Sequence, residues 1–455
     1  MTGHNQANRS TIFALSSAAG RAGVAVVRVS GPMAGTVLSL MAPARPKPRL
    51  AAGRRIIHPT TSEHLDSGVV LWFPAPKSFT GEDVAELQLH GSVAVVRAVL
   101  AALAGIPGCR QAEAGEFARR AYDNGKIDLV EAEGLADLID AETEAQRRQA
   151  LRQSRGALSS LYESWRASLI EATALVESSI DFSDEGDVAY DAFDSSKAVV
   201  TDLAKAIRHH LDDGNKGEIL RSGFRVALAG PPNVGKSSLL NALARRDAAI
   251  VSEEAGTTRD VIEVRLDLEG LPVIVADTAG IRETTGQVER EGIRRSLATA
   301  ADADLIIWMT DVLTGEAVLP AELLAIADRV LPIVNKVDLR PGLPDGTQVQ
   351  ALPDDEVAIS VLSGAGLSEL SQRIAAIARE RIGANEEPHL TQERHRQLVQ
   401  QCLDDLDSFL AGDANHVELR AEDLRRAASA LGRITGRIGV EDVLDQVFHR
   451  FCIGK

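Results

Sequence analysis

Cysteine is scarce: Cys109, Cys402 and Cys452 are the only three in 455 residues, far apart and with no Cys-x-x-Cys pair. That argues against a zinc site and suits a reducing compartment. No run of about 18 apolar residues occurs, so the sequence offers no membrane span. Met1 to Ser10 is polar and lacks the apolar core of a secretory signal, so a cytoplasmic location is expected. Positive charge is also short. A net charge of −16 at pH 7 works against a protein that grips nucleic acid alone, because phosphate contacts need clustered Lys and Arg. Any RNA contact must be local, or be supplied by a partner. Proline is missing from Cys109 to Gly230 and again after Pro388, which permits long helices in both stretches.

What is present is ordinary globular material, 45% hydrophobic and 25% charged, and long enough for two or three domains. Apolar residues recur at spacings of three and four from Ile127 to Ile180 (Leu129, Ala132, Leu135, Leu138, Ile139), and Leu390 to Phe451 is similar in character. The economical reading is one helical domain built from both segments, 126–221 and 383–455, with a compact domain inserted at 222–382. In that insert Phe224–Gly230, Val261–Leu268, Leu271–Ala276, Leu305–Thr310, Leu331–Asn335 and Val357–Ser360 read as strands, with helical patterns after most of them. Glu269-Gly270 predicts a hairpin, hence one antiparallel strand in a six-stranded, mostly parallel sheet. Ahead of it, residues 1–125 carry strand-like runs at Val24–Val29, Val69–Phe73 and Val84–Leu89 and a helical run at Val93–Leu103. The expected fold class is therefore α/β plus α: a small N-terminal α/β domain, a two-segment helical domain and an inserted P-loop domain.

Gly230-Pro231-Pro232-Asn233-Val234-Gly235-Lys236-Ser237 matches a phosphate-binding loop, and it follows an apolar strand and precedes a helical run, as the pattern requires. Glycines let backbone N–H groups turn onto phosphates, Lys236 reaches the outer phosphates, and the Ser237 hydroxyl can ligate magnesium. Val234, Gly235 and Ser238 complete the loop contacts. Asp277-Thr278-Ala279-Gly280 ends a strand, where Asp277 can hold the magnesium shell and the Gly280 N–H can sense a γ-phosphate. Ser252, Glu253, Glu254, Ala255, Gly256, Thr257 and Thr258 form the intervening contact segment, with Thr258 the candidate to reach magnesium. Asn335-Lys336-Val337-Asp338 follows a later strand, and the Asp338 carboxylate can accept from N1 and the exocyclic amine of guanine, a pairing adenine cannot offer. Ser360-Val361-Leu362 stands where translation-factor GTPases carry Ser-Ala-Lys, and the Val361 N–H is placed to meet the guanine oxygen. Ile281 occupies the position after Asp-x-x-Gly where Ras-like proteins carry a water-orienting Gln. Glu283, Glu289 and Glu291 follow, and spacing does not choose among them; neither does it single out Arg259 or Arg282 as a finger. A monovalent cation could supply the missing charge, and Asn233 has a neutral oxygen suited to it.

Several stretches outside these motifs resemble the tRNA modification GTPase MnmE (TrmE) family: Gly23–Gly31 (GVAVVRVSG), Ser78–Gly91 (SFTGEDVAELQLHG), Gly115–Ala141 (GEFARRAYDNGKIDLVEAEGLADLIDA) and Phe451–Lys455 (FCIGK). The likeness covers nearly the whole chain. It implies a homodimer formed through the N-terminal domain, which binds a 5-formyltetrahydrofolate derivative through Arg28, Glu86, Lys126 and Lys455. It implies work with the FAD-dependent protein MnmG, in a heterotetramer or larger complex that contacts tRNA, to place a carboxymethylaminomethyl or aminomethyl group on C5 of the wobble uridine. It makes potassium (K+), beside Mg2+, the activating ion, held by Asn233 and by oxygens of Ser252, Glu254 and Thr257. Glu289 becomes the catalytic residue that orients water, alongside Lys236, when two G domains meet. Cys452 is left out of the catalytic set. A ribosome-assembly or RNA-binding GTPase switch would carry similar motifs, but it usually adds a basic module that this acidic chain does not supply.

Overall fold

The computed structural model describes residues 10–181, 186–213, 215–246, 262–277, 303–312, 319, 321–339, 357–383, 387–412, 416–438 and 441–455. The chain divides into two compact units, Met1–Ala136 with Gln153–Ala167 and Ala428–Lys455, and Asp137–Arg152 with Ser168–Ala427.

The first unit is built on β1 (Thr11–Leu15), β2 (Ala22–Ser30), β3 (Ala52–Ile57), β4 (His64–Phe73), β5 (Val84–Gly91) and β6 (Cys109–Gln111), in the order β3-β4-β5-β2-β1-β6. Neighbours pair antiparallel except β1 with β6. Alternation puts Val27 and Val29 of β2 with Leu87 and Leu89 of β5 on one face. Val37, Leu38 and Met41 of the helix Ala34–Met41, with Val99 and Leu103 of Val93–Ala104, pack into the same core. Ser92 caps the second helix, its Oγ accepting from the Val95 N–H at 3.1 Å. The opposite phase of the strands brings Arg28 of β2 level with Glu86 of β5. The last residues of the chain close this unit. Ala114 bridges Ile453, the Ser16 hydroxyl donates to Gly454 O at 2.8 Å, and the Phe117 N–H donates to Lys455 O at 3.2 Å. Three strand-like runs were legible here and six strands form. β1 and β6 are too short to show a period, and β3 carries two arginines.

The second unit holds β7 (Phe224–Ala229), β8 (Ile262–Leu268), β9 (Leu271–Asp277), β10 (Leu305–Asp311), β11 (Val330–Asn335) and β12 (Val357–Ala358), in the order β12-β11-β10-β7-β9-β8. Every pair is parallel except β8 with β9. These two turn at Glu269 and Gly270, whose φ of 54° and 84° fit the left-handed pair of a type I′ hairpin. Near-continuous apolar strands, such as Leu305–Asp311 with every residue buried, are what a parallel sheet covered on both faces demands. The helices Lys236–Arg246 and Leu367–Ile382 contribute Leu239, Leu240, Leu243, Leu370 and Ile374 to the sheet's core.

The Pro-free stretch after Ile127 forms the helices Leu129–Asp140, Glu144–Gln153 and Ala157–Asp181. Thr143 starts the second of these with a capping box: its Oγ1 accepts from the Gln146 N–H at 3.4 Å, and Gln146 Oε1 accepts from the Thr143 N–H at 3.1 Å. Gly156, at φ 81°, precedes the third. Further along, Gly186–Leu211 lies beside Glu393–Ala411, with the Phe193 and Phe409 rings 5.9 Å apart. Arg396 donates to Leu211 O at 3.0 Å, Asp213 Oδ1 at 2.9 Å and Glu218 Oε1 at 3.0 Å, so one guanidinium fastens the segment that leads into β7.

Candidate functional site

At the carboxyl end of β7 the chain passes Gly230, where φ is 142° and an added Cβ would lie 2.1 Å from Met309 O of β10. Only glycine fits so close to a neighbouring backbone. The loop then turns through Asn233 (φ 63°) and Gly235 (φ 106°) into the helix Lys236–Arg246, presenting its N-terminal N–H groups as an anion cradle. Lys236 is buried, and its Nζ donates to Gly230 O and Pro231 O, both at 2.9 Å, so the ammonium lies across the loop. The Ser237 hydroxyl donates to Asp277 Oδ2 at 2.5 Å, and Asp277 closes β9 at 1% exposure. Two hard oxygen donors converge there, the chemistry that magnesium prefers.

The guanine motif lies against the same loop. Asn335 is 3% exposed; its Nδ2 donates to Val234 O at 2.7 Å and its Oδ1 accepts from the Val361 N–H at 3.2 Å. Lys336 Nζ donates to Asn233 O at 2.9 Å and to Asp311 Oδ2 at 2.6 Å. Ser360 Oγ donates to Asp338 Oδ1 at 2.5 Å, which orients an otherwise exposed carboxylate. Val337 is buried, Val361 packs partly against the sheet core, and Leu362 is 88% exposed. Ser238 is exposed on the first turn of the helix after the loop. Ser252, Glu253, Glu254, Ala255, Gly256, Thr257, Thr258, Thr278, Ala279, Gly280 and Glu289 lie outside the described residues.

In the first unit, Arg28 and Glu86 form an ion pair at 3.0 Å, and the Arg28 guanidinium lies 5.6 Å from the Phe79 ring centre and 5.7 Å from that of Phe117. Both line a cavity of about 280 Å³ with Arg49, Phe73, Lys77, Ser78, Phe79 and Val84. Aromatic walls, one carboxylate and several cations are a donor set that suits a flat, anionic heteroaromatic ligand. Lys126 and Lys455 are not among its lining residues. Lys126 is exposed and runs past Gly81, and the Lys455 carbonyl is tied to the Phe117 N–H. The Thr80–Asp83 turn beside the cavity is held by Arg120, 2% exposed, which donates to Glu82 Oε2 at 3.1 Å, and by Ser30 Oγ, which donates to the same oxygen at 2.7 Å.

A family profile described as MnmE helical domain matches residues 129–452, and one described as GTP-binding protein TrmE N-terminus matches residues 11–126. Over 451 residues the chain is 52% identical to the tRNA modification GTPase MnmE of Parvibaculum lavamentivorans, covering 98% of this chain and 100% of that relative. The chain belongs to the MnmE family of tRNA modification GTPases. The MnmE of Paramagnetospirillum magneticum is 50% identical over 446 residues (98% and 99% of the two chains), and that of Methylorubrum populi 50% over 447 (98% of each).

Two residues of this MnmE-family chain escaped the motif reading. Asp311, 5% exposed, closes β10 and holds Lys336; its signal was a carboxylate ending a strand run that is apolar from Leu305 to Met309. Arg120 holds the Thr80–Asp83 turn; its signal was its position four residues after Glu116 on one helix face, where the two pair at 2.9 Å.

Proposed function

We propose that this chain is a potassium-dependent GTPase of the cytoplasm that acts with FAD-dependent MnmG to add a carboxymethylaminomethyl or aminomethyl group to C5 of the wobble uridine of tRNA. The observation that carries the reading is the convergence of Lys236, Ser237, Asp277 and the Asn335–Asp338 motif on one loop. In this reading Lys236 transfers its hydrogen bonds from Gly230 O and Pro231 O to the outer phosphates. Ser237 and Asp277 hold Mg2+, which when bound neutralises charge developing between the β- and γ-phosphates. Asp338, oriented by Ser360, accepts from N1 and the exocyclic amine of guanine.

Asn233 with Ser252, Glu254 and Thr257 holds K+, and Thr258 reaches the magnesium shell. Glu289 orients the attacking water once two G domains meet in the homodimer. The segments 1–125, 126–221, 222–382 and 383–455 serve as the folate-binding and dimerisation domain, the two parts of the helical domain and the inserted GTPase domain. In the first of these Arg28 and Glu86 hold 5-formyltetrahydrofolate or a relative, which carries a one-carbon unit, with Lys126 and Lys455 as further contacts. Hydrolysis of GTP but not ATP, slow in sodium and faster in potassium, is expected from the purified chain. Equal rates in the two salts remove the cation. Normal wobble uridines in tRNA from cells lacking the protein remove the modification role.

A further inference from the structure

The guanine motif does more than face the base: it holds the phosphate loop from behind. Consecutive residues Asn335 and Lys336 donate to the consecutive carbonyls of Val234 and Asn233, at 2.7 and 2.9 Å. Asn233 and Lys336 both stand in the left-handed backbone region, at φ 63° and 60°, where residues other than glycine need surrounding structure to keep them. The Lys336 ammonium therefore has an exact place to occupy, and Asp311 Oδ2 at 2.6 Å supplies it. Asp311 is 5% exposed and faces Asn335 across the parallel β10–β11 pair, so the carboxylate sits on sheet backbone that cannot drift. A buried carboxylate is retained at a cost unless a cation meets it, which makes this contact directional as well as close.

We propose that Asp311 is a positioning residue of the monovalent-cation site: through Lys336 it fixes the Asn233 main chain, and so sets the amide that the reading above assigns to potassium. This rests on that assignment of Asn233. Asp311 acts through the Lys336 ammonium that it holds. Its effect is to tie the guanine loop to cation activation, because the same lysine joins the base motif and the loop residue. Asp311→Asn keeps the side-chain size and removes the charge that holds the ammonium. Lys336 then loses its strongest acceptor, Asn233 loses its brace, and more potassium is needed to bring the amide oxygen to the ion.

The test is the initial rate of GTP hydrolysis by the full-length chain against potassium concentration at constant ionic strength. Binding of a fluorescent GDP analogue is measured on the same samples. D311N is expected to raise the half-activating potassium concentration roughly tenfold while the GDP dissociation constant moves less than about threefold, a split that general loosening of the domain does not give. Should D311N melt below the assay temperature, Asp311→Glu, one methylene longer, is expected to shift half-activation in the same direction by about threefold. An unmoved half-activation in the folded variant, or a GDP affinity that falls as far as the potassium affinity, overturns the inference. A wild-type chain equally active in potassium and sodium overturns the parent reading and this one with it; a potassium-activated wild type with an unmoved variant overturns this one alone.

Discussion

Lys236 is a buried ammonium that donates to the neutral carbonyls of Gly230 and Pro231, hydrogen bonds that an arriving anion can take over. Lys236→Ala is expected to weaken GTP binding by about 3 kcal/mol, roughly a hundredfold, read by fluorescence titration. Elsewhere in the second unit burial pushes His210 down to about 4, against the attraction of Asp213, with His389, Arg396 and His395 nearby opposing its protonation. An unfolded histidine titrates near 6.5, so between those values the unfolded chain binds more protons and stability falls as pH falls. About 3 kcal/mol is therefore lost between pH 7 and pH 4 from this group, and His210→Gln should flatten denaturant midpoints over that window. Among the thiols, burial drives Cys402 up to about 12, and burial also raises Cys109, whereas Cys452 is exposed. Native-state alkylation followed by mass mapping should label Cys452 first. At this scale the nucleotide motifs were legible because each needs fixed residue types at fixed spacing. Asp311 was not, because a carboxylate after an apolar run is silent until the strands pair and bring Lys336 to it.

Glycine shows how differently one residue type acts in two elements. At Gly230 an added Cβ meets Met309 O at 2.1 Å, whereas at Gly270 the nearest atom is Glu144 Cβ at 3.7 Å, so only left-handed backbone preference opposes it. Gly270→Ala should cost about 1 kcal/mol in urea unfolding, and Gly230→Ala several times that, with nucleotide binding lost as β7 and β10 separate. The strands of the nucleotide sheet were readable because doubly covered parallel strands are largely apolar, and the Glu269-Gly270 turn announced the one antiparallel pair. The N-terminal sheet hid half its strands. β6 is only Cys109–Gln111, and β3 has a single buried residue, Ile56, after Gly53, Arg54 and Arg55, so neither stands out from a loop. The Thr-x-x-Gln box that starts a new helix at Thr143 lies in the sequence, but apolar spacing alone does not say where one helix ends and the next begins.

Taken as one molecule, the chain combines a nucleotide switch with a net charge of −16, and no described helix is long and apolar enough to cross a membrane. Counterion release then offers it little affinity for RNA, and the chain alone should fail to retain tRNA on a filter at about 0.15 M salt, with retention appearing once a basic or RNA-binding partner is added. The seam where Ile453 bridges Ala114, Gly454 O receives the Ser16 hydroxyl and Lys455 O receives the Phe117 N–H joins residues up to 438 positions apart. On a ribosome the N-terminal strands emerge hundreds of residues before the pentapeptide that completes them. The first unit therefore waits, unfinished, until Ile453–Lys455 has been translated, and a message interrupted before that stretch harms strands made long before it.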